Sequence, residues 1–225
     1  MGAFDEYKNK IWKYRFAGEL FIPVIAGGTP TDPKVAEAWI KTKMGIDSEQ
    51  QIQEMVAKTM VERGVTADVA AEEVNMNRHL NGFKRTEDGE LFYEGRCLKA
   101  CIKEAVSVAA DVGNIKPRGF GNNSRKGVLS FVAEHVFVPE TRLLLGVKEP
   151  TRVLQKFVHT FRGSGIQYEE IVENATVSFT VETDHDFTDE EWAAIWLTAE
   201  KQGLGASRSQ GFGVFEVTKW ERRKK

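Results

Sequence analysis

The stretch Gly203–Trp220, GLGASRSQGFGVFEVTKW, constrains this chain more than any other. Gly203, Gly205, Gly211 and Gly213 bracket Ala206, Ser207, Arg208, Ser209 and Gln210. Glycine admits positive φ and the close approach of another molecule. Serine, arginine and glutamine supply hydrogen-bond donors, and a guanidinium fork suits a phosphate. Past Gly213 the chain turns apolar and β-prone at Val214, Phe215 and Val217. The preceding segment is as legible. Thr188 and Glu191 have the spacing of a capping box, with Phe187 and Trp192 at the two positions of a hydrophobic staple. Trp192, Ile195, Trp196 and Ala199 recur at helical spacing, and Gly203 suits the helix end. Ala175, Val177, Phe179 and Val181 alternate with polar residues as a half-buried strand does. The last third therefore reads strand, helix, glycine loop, strand.

This arrangement, carried by Gly203-Leu-Gly205-Ala-Ser-Arg208-Ser-Gln-Gly211-Phe-Gly213 and Val214–Val217, resembles the RAMP superfamily of CRISPR-associated proteins. Those are RRM-like, or ferredoxin-like, domains with a glycine-rich loop between the last helix and the last strand. The resemblance covers Asn174–Trp220 and thins out over the first strand and the middle of the chain. It implies an α+β fold built on an antiparallel sheet, and RNA or single-strand binding. A single glycine loop and this length resemble the backbone-type subunits, which polymerise along a guide RNA.

Composition bounds that expectation. With 41% hydrophobic and 28% charged residues, the 225-residue chain has an ordinary globular composition. Its net charge of -2 excludes a global basic footprint, so a nucleic-acid surface must be a local stripe. Two cysteines, Cys97 and Cys101, are too few for a disulfide framework and fit a reducing, cytoplasmic setting. No apolar run reaches membrane-spanning length, and the N-terminus lacks the apolar core of a signal peptide.

In chain order, Trp12, Tyr14 and Phe16 open a long first strand, with a bulge expected at Gly18. Asp32-Pro33 and the Ser48/Gln51 capping box start two helices, and a third is expected from Thr66 to Asn77. The second is expected to bury Ile52, Met55, Val56, Thr59 and Met60. Residues 32–80 thus read as a helical insertion within a single domain spanning 1–225. Gly82–Tyr93 reads as a hairpin turning at Asp88-Gly89, and Arg96–Ala110 as the first helix of the core. Val128–Phe131, His135–Val138 and Leu143–Leu145 are short strand candidates. Val153–Phe161 fits strand or helix, and Ile166–Thr183 fits a strand pair or one bent strand.

A second binding loop is expected at Gly113–Gly127, where Lys116, Arg118, Arg125 and Lys126 come with Phe120 and no acid. A basic loop with an aromatic grips phosphates and stacks a base. Familiar phosphate motifs fail. Neither the P-loop spacing nor G-x-G-x-x-G is met, since position 208 is arginine and this loop opens a strand. The cysteines lack partnered ligands for zinc, and the histidines are scattered singly, so neither a metal nor a cofactor is expected.

Two readings compete with RNA binding. Some RAMP proteins are metal-independent endoribonucleases, and His79, beside Arg78, is the candidate base to take the 2′-OH proton. The chain is alternatively a structural or protein-interaction protein that keeps only the fold. The reading favoured is non-catalytic. Single-stranded RNA is held by Gly203, Gly205, Ser207, Arg208, Ser209, Gly211 and Gly213, and clamped by Lys116, Arg118, Arg125 and Lys126, with Phe120 stacking. The expected partners are RNA, further copies of the chain and other complex subunits, without a membrane.

Overall fold

The computed structural model describes residue 7 and residues 10–28, 49–112, 131–160 and 163–223. Two long strands carry it, β1 (Tyr14–Ala26) and β8 (Gly163–Thr183). They run antiparallel in one continuous register from Tyr14↔Thr183 to Ala26↔Ile171. β9 (Glu216–Arg222) pairs with the other edge of β1. On the far edge of β8 lie β5 (Val136–Phe137) at one end and β7 (Arg152–Thr160) at the other. Where β1 stops, β2 (Leu80–Asn81) continues along its edge of β8, in parallel.

The central order β9-β1-β8-β5 is that of the ferredoxin-like fold. Two crossover helices complete it. α3 (Gly95–Val112) falls between β1 and β5, and α4 (Asp189–Gln202) joins β8 to β9. α1 (Glu49–Arg63) and α2 (Ala67–His79) precede α3 within the expected insertion. Arg63 of α1 meets Glu73 of α2 at 3.2 Å. α2 buries Ala70 and Val74, whereas the α1 stripe is only half-buried and Met55 is exposed. A small second sheet, β3 (Lys84–Arg85), β4 (Leu91–Glu94) and β6 (Arg142–Leu144), contains the expected hairpin.

The core is aromatic where α4 meets the sheet. Thr188 accepts from the Glu191 N–H while Glu191 accepts from the Thr188 N–H, so the capping box is complete. The Phe187 and Trp192 rings lie 4.9 Å apart as the staple requires. Trp192, Trp196 and Trp220 gather over Phe16 and Phe179, with Phe16 and Trp220 stacked at 4.8 Å.

Gly18 is where the structure corrects the sequence reading. β1 holds its register on β8 straight through it. A Cβ there would lie 2.3 Å from the tip of the Phe179 ring, so the glycine makes room for an aromatic. The irregularity instead falls between Glu19 and Leu20 in the pairing with β9, where Thr218 is the extra residue. Its hydroxyl donates to Glu19. The change of phase comes later. Ile22 and Ile25 are both in the core, as are their partners Ala175 and Val172, although each pair is three apart. Asn174, at φ 56°, takes up the offset.

Ile166–Thr183 forms one strand, within β8, and Val153–Phe161 falls mostly in β7. His135–Val138 supplies only the two-residue β5. Residues 131–135 are helical, so Phe131 is not in a strand.

Candidate nucleic-acid interface

α4 ends where Gly203, at φ 77°, donates its N–H to Ala199. The loop then closes its own neck. Leu204 N–H donates to the Gly213 carbonyl, and Gly213 N–H donates to the Val24 carbonyl on β1, both at 2.8 Å. The glycine loop is thus pinned to the central strand by backbone bonds.

Tyr93 of β4 supports the part beyond the neck. Its hydroxyl donates to the Ala26 carbonyl and accepts from the Ala206 N–H at 3.1 Å. Burial, first of all, raises its phenol above the ordinary range. Ser207 is left-handed at φ 54°, and Arg208–Gln210 form one 3₁₀ turn closed by Gly211 N–H on the Arg208 carbonyl.

Under this turn lies a buried acid–base pair. Lys156 of β7 donates to Glu169 of β8 at 2.5 Å, and the Glu169 side chain is only 2% exposed. Ser207 donates its hydroxyl to Glu169 at 2.9 Å and accepts from Lys156 at 2.9 Å. Gln210 also accepts from Lys156, at 3.3 Å. The neighbouring Glu170 is buried too, accepting from the Phe83 N–H and from Arg85, each at 2.9 Å or less. A buried carboxylate is costly unless hydrogen-bonded and paired, and both of these are.

A cleft of about 310 Å³ opens between the glycine loop, α3 and the β3–β4 hairpin. Its walls include Phe83, Phe92, Cys97, Ala100 and Leu204. Three cations stand at it, Lys84, Arg96 and Arg208, together with two acids, Glu94 and Glu104. Lys84 donates to Glu94 at 2.8 Å, and Arg96 donates to it from Nε at 2.6 Å. These two bonds, Lys84 first, hold the Glu94 carboxyl below its ordinary value. Arg208 donates to Glu104 at 2.6 Å. Cys101 donates to the Gly203 carbonyl at 3.5 Å, and burial pushes its thiol up to about 12. Cys97, half-buried, is raised chiefly by burial as well.

The residues expected to bind RNA fall into three groups. Arg208 stands at the cleft, Ser209 is exposed on the turn, and Gly203 and Gly205 line the cleft. Ser207 has its hydroxyl committed inward, and Gly211 and Gly213 shape the loop. The second loop, with Lys116, Arg118, Phe120, Arg125 and Lys126, lies outside the described residues. His79 is the last residue of α2, and its side chain also lies outside them. Among the described residues no group of three His, Cys, Asp or Glu is arranged to hold a metal. None of their helices is long and apolar enough to cross a membrane.

Sequence reasoning missed Tyr93, Glu104, Lys156 and Glu169. The one signal available was Glu169-Glu170 itself, two adjacent acids between Tyr168 and Ile171 in a segment that reads as a strand. Buried acids in a strand call for nearby bases.

No family model matches the sequence, and no curated protein does. Among solved structures the likeness is clear. A chain of the cryo-EM structure of the Type III-B Cmr-beta bound to cognate target RNA aligns with a TM-score of 0.52 at 11% identity. The alignment covers 98% of this chain and 65% of that one, so this chain spans about two thirds of its neighbour's length. The two chains share a fold. The likeness supports the α+β, ferredoxin-like architecture expected from the sequence, and at this identity it concerns the fold alone.

Proposed function

We propose that this chain is a non-catalytic subunit that binds single-stranded guide RNA and self-assembles along it in a CRISPR-type ribonucleoprotein complex. The observation that carries the reading is the glycine loop. It is pinned by Gly213 to β1 and holds Arg208 at the mouth of a cleft that also carries Lys84 and Arg96. Phosphate contacts of this kind are sequence-tolerant and dominate affinity. The shared fold with a chain from an RNA-bound complex supports the same reading. With a net charge of -2, each copy offers a stripe rather than a basic face, and side-by-side assembly on one strand multiplies such stripes.

The test is sizing chromatography of the purified protein, with absorbance at two wavelengths, before and after ribonuclease. A large nucleic-acid-rich peak that shrinks on digestion is the expected result. Titration with a labelled RNA oligomer across a salt series then gives a slope. Arg208→Ala should flatten it by roughly 0.7, the share of one phosphate contact on a single strand. A clean monomer with no salt-dependent RNA binding overturns the proposal in favour of a protein-interaction role. Metal-independent cleavage lost in His79→Ala would replace it with the endoribonuclease reading.

A further inference from the structure

The geometry points to the cleft beside the glycine loop as a pocket for one unstacked nucleotide of the bound strand, with base inside and phosphodiester at the rim. This rests on the RNA-binding reading above and adds to it a base site.

Three features converge on that ligand. The first is size. About 310 Å³ is at the small end of ligand cavities, which run from roughly 300 to 1,000 Å³. One nucleotide is of that scale, and a stacked run is not. The second is the lining. Phe83, Phe92, Cys97, Ala100 and Leu204 give the cleft apolar walls on which a flat ring can pack, and Ala100 is exposed at the helix surface. The third is charge. Lys84, Arg96 and Arg208 against Glu94 and Glu104 leave a surplus of one positive charge. That matches the single negative charge of a phosphodiester within a strand better than the near-double charge of a terminal phosphate. Arg208 is the cation that also belongs to the glycine loop, so a strand following the loop brings its sugar to the cleft mouth.

Cys97 reports on the pocket. It lines the cleft and is half-buried, while Cys101 behind it is buried and bonded to the Gly203 carbonyl. The experiment measures Cys97 alkylation in the full chain at mildly alkaline pH with an RNA hexamer, an abasic hexamer of equal charge, or free adenosine monophosphate. Binding of each hexamer is followed in parallel by fluorescence anisotropy. The RNA hexamer is expected to slow Cys97 labelling about tenfold. The abasic hexamer is expected to bind about tenfold more weakly, the scale of one base contact, and to leave labelling unchanged. Ala100→Trp, which fills the cleft from an exposed helix position, should bind the two hexamers equally.

Equal protection by the abasic hexamer, or a base preference that survives in Ala100→Trp, overturns the pocket. RNA binding without Cys97 protection overturns the pocket and leaves the RNA-binding reading standing. Absence of RNA binding overturns both. Protection by the free monophosphate where no hexamer binds reassigns the cleft to a soluble nucleotide and overturns the strand assignment.

Discussion

Arg208 and Glu104 face each other across the cleft mouth, with Nη1 2.6 Å from one carboxylate oxygen and Nη2 3.4 Å from the other. The carboxylate sits in the fork that a phosphate would occupy. This hydrogen bond is the first cause of the raised pKa of Arg208. The side chains are 36% and 49% exposed, so solvent screens the pair. An exposed ion pair contributes at most about 1 kcal/mol. Glu104 is therefore a competitor that a polyanion can displace, rather than a permanent block.

Glu104→Gln should tighten RNA binding by up to about fivefold at low salt, the equivalent of that 1 kcal/mol. Anisotropy titrations of wild type and variant, at two salt concentrations, check it. The gain should shrink at higher salt, because screening already weakens the internal pair. Unchanged or weaker binding would mean that Glu104 orients Arg208 instead of competing for it.

How much of this was legible in the sequence differs between the ends of the molecule. The strand, cap and helix from Ala175 to Ala199 obey local rules and stand where their spacing puts them, whereas the last strand begins at Glu216, past Val214 and Phe215. Over β7 the signal fails for a physical reason. Phe157 is 82% exposed and Val153 41%, so apolar residues there do not mark a buried face. Gly18 misleads because an aromatic on the neighbouring strand, not backbone geometry, demands it. The glycine loop was visible. Its support was not, because Tyr93, Lys156 and Glu169 reach it from elements 113, 51 and 38 residues away in sequence.

Two glycines in the loop should respond differently to alanine. Gly213 has φ 75°, and a Cβ there would lie 1.8 Å from the Leu204 carbonyl oxygen. Gly211 has φ 86° with open space around it. Gly211→Ala should cost only the left-handed conformation, about 1 kcal/mol. Gly213→Ala should cost several-fold more, since it must also break the neck formed by Leu204 and Val24. Urea denaturation of both variants decides the matter. Equal losses would show that the neck tolerates movement.

Lys156 and Glu169 should behave as a unit. Lys156→Met leaves a carboxylate that is 2% exposed with only the Ser207 hydroxyl bonded to it in this network. Stranding one partner of a buried pair costs about 3–5 kcal/mol. Pairing it with Glu169→Gln removes the stranded charge and should recover much of that loss. Thermal denaturation of the two singles and the double, as a mutant cycle, gives the coupling. Additive losses would mean that the pair is held by the strands and does not anchor the loop.

Cys101 has an ordinary value of 9.0 and is pushed up to about 12 in the fold, chiefly by burial. Its folded pKa is thus raised. Below 9 the thiol is protonated in both states, and its contribution to stability is fully present. Above 9 the unfolded chain loses that proton while the folded chain keeps it, so stability falls until the folded thiol itself titrates near 12. Between these limits wild type should lose stability with a steeper slope than Cys101→Ala. The variant begins less stable, because it leaves a small cavity under Gly203 and removes the thiol bonded to its carbonyl. The two stability curves should therefore converge as pH rises from 9 toward 12. Denaturant midpoints at several pH values in that window, under reducing conditions, measure the slopes. Parallel curves would show that Cys101 titrates alike in both states, and that the loop opens to solvent before the rest of the fold.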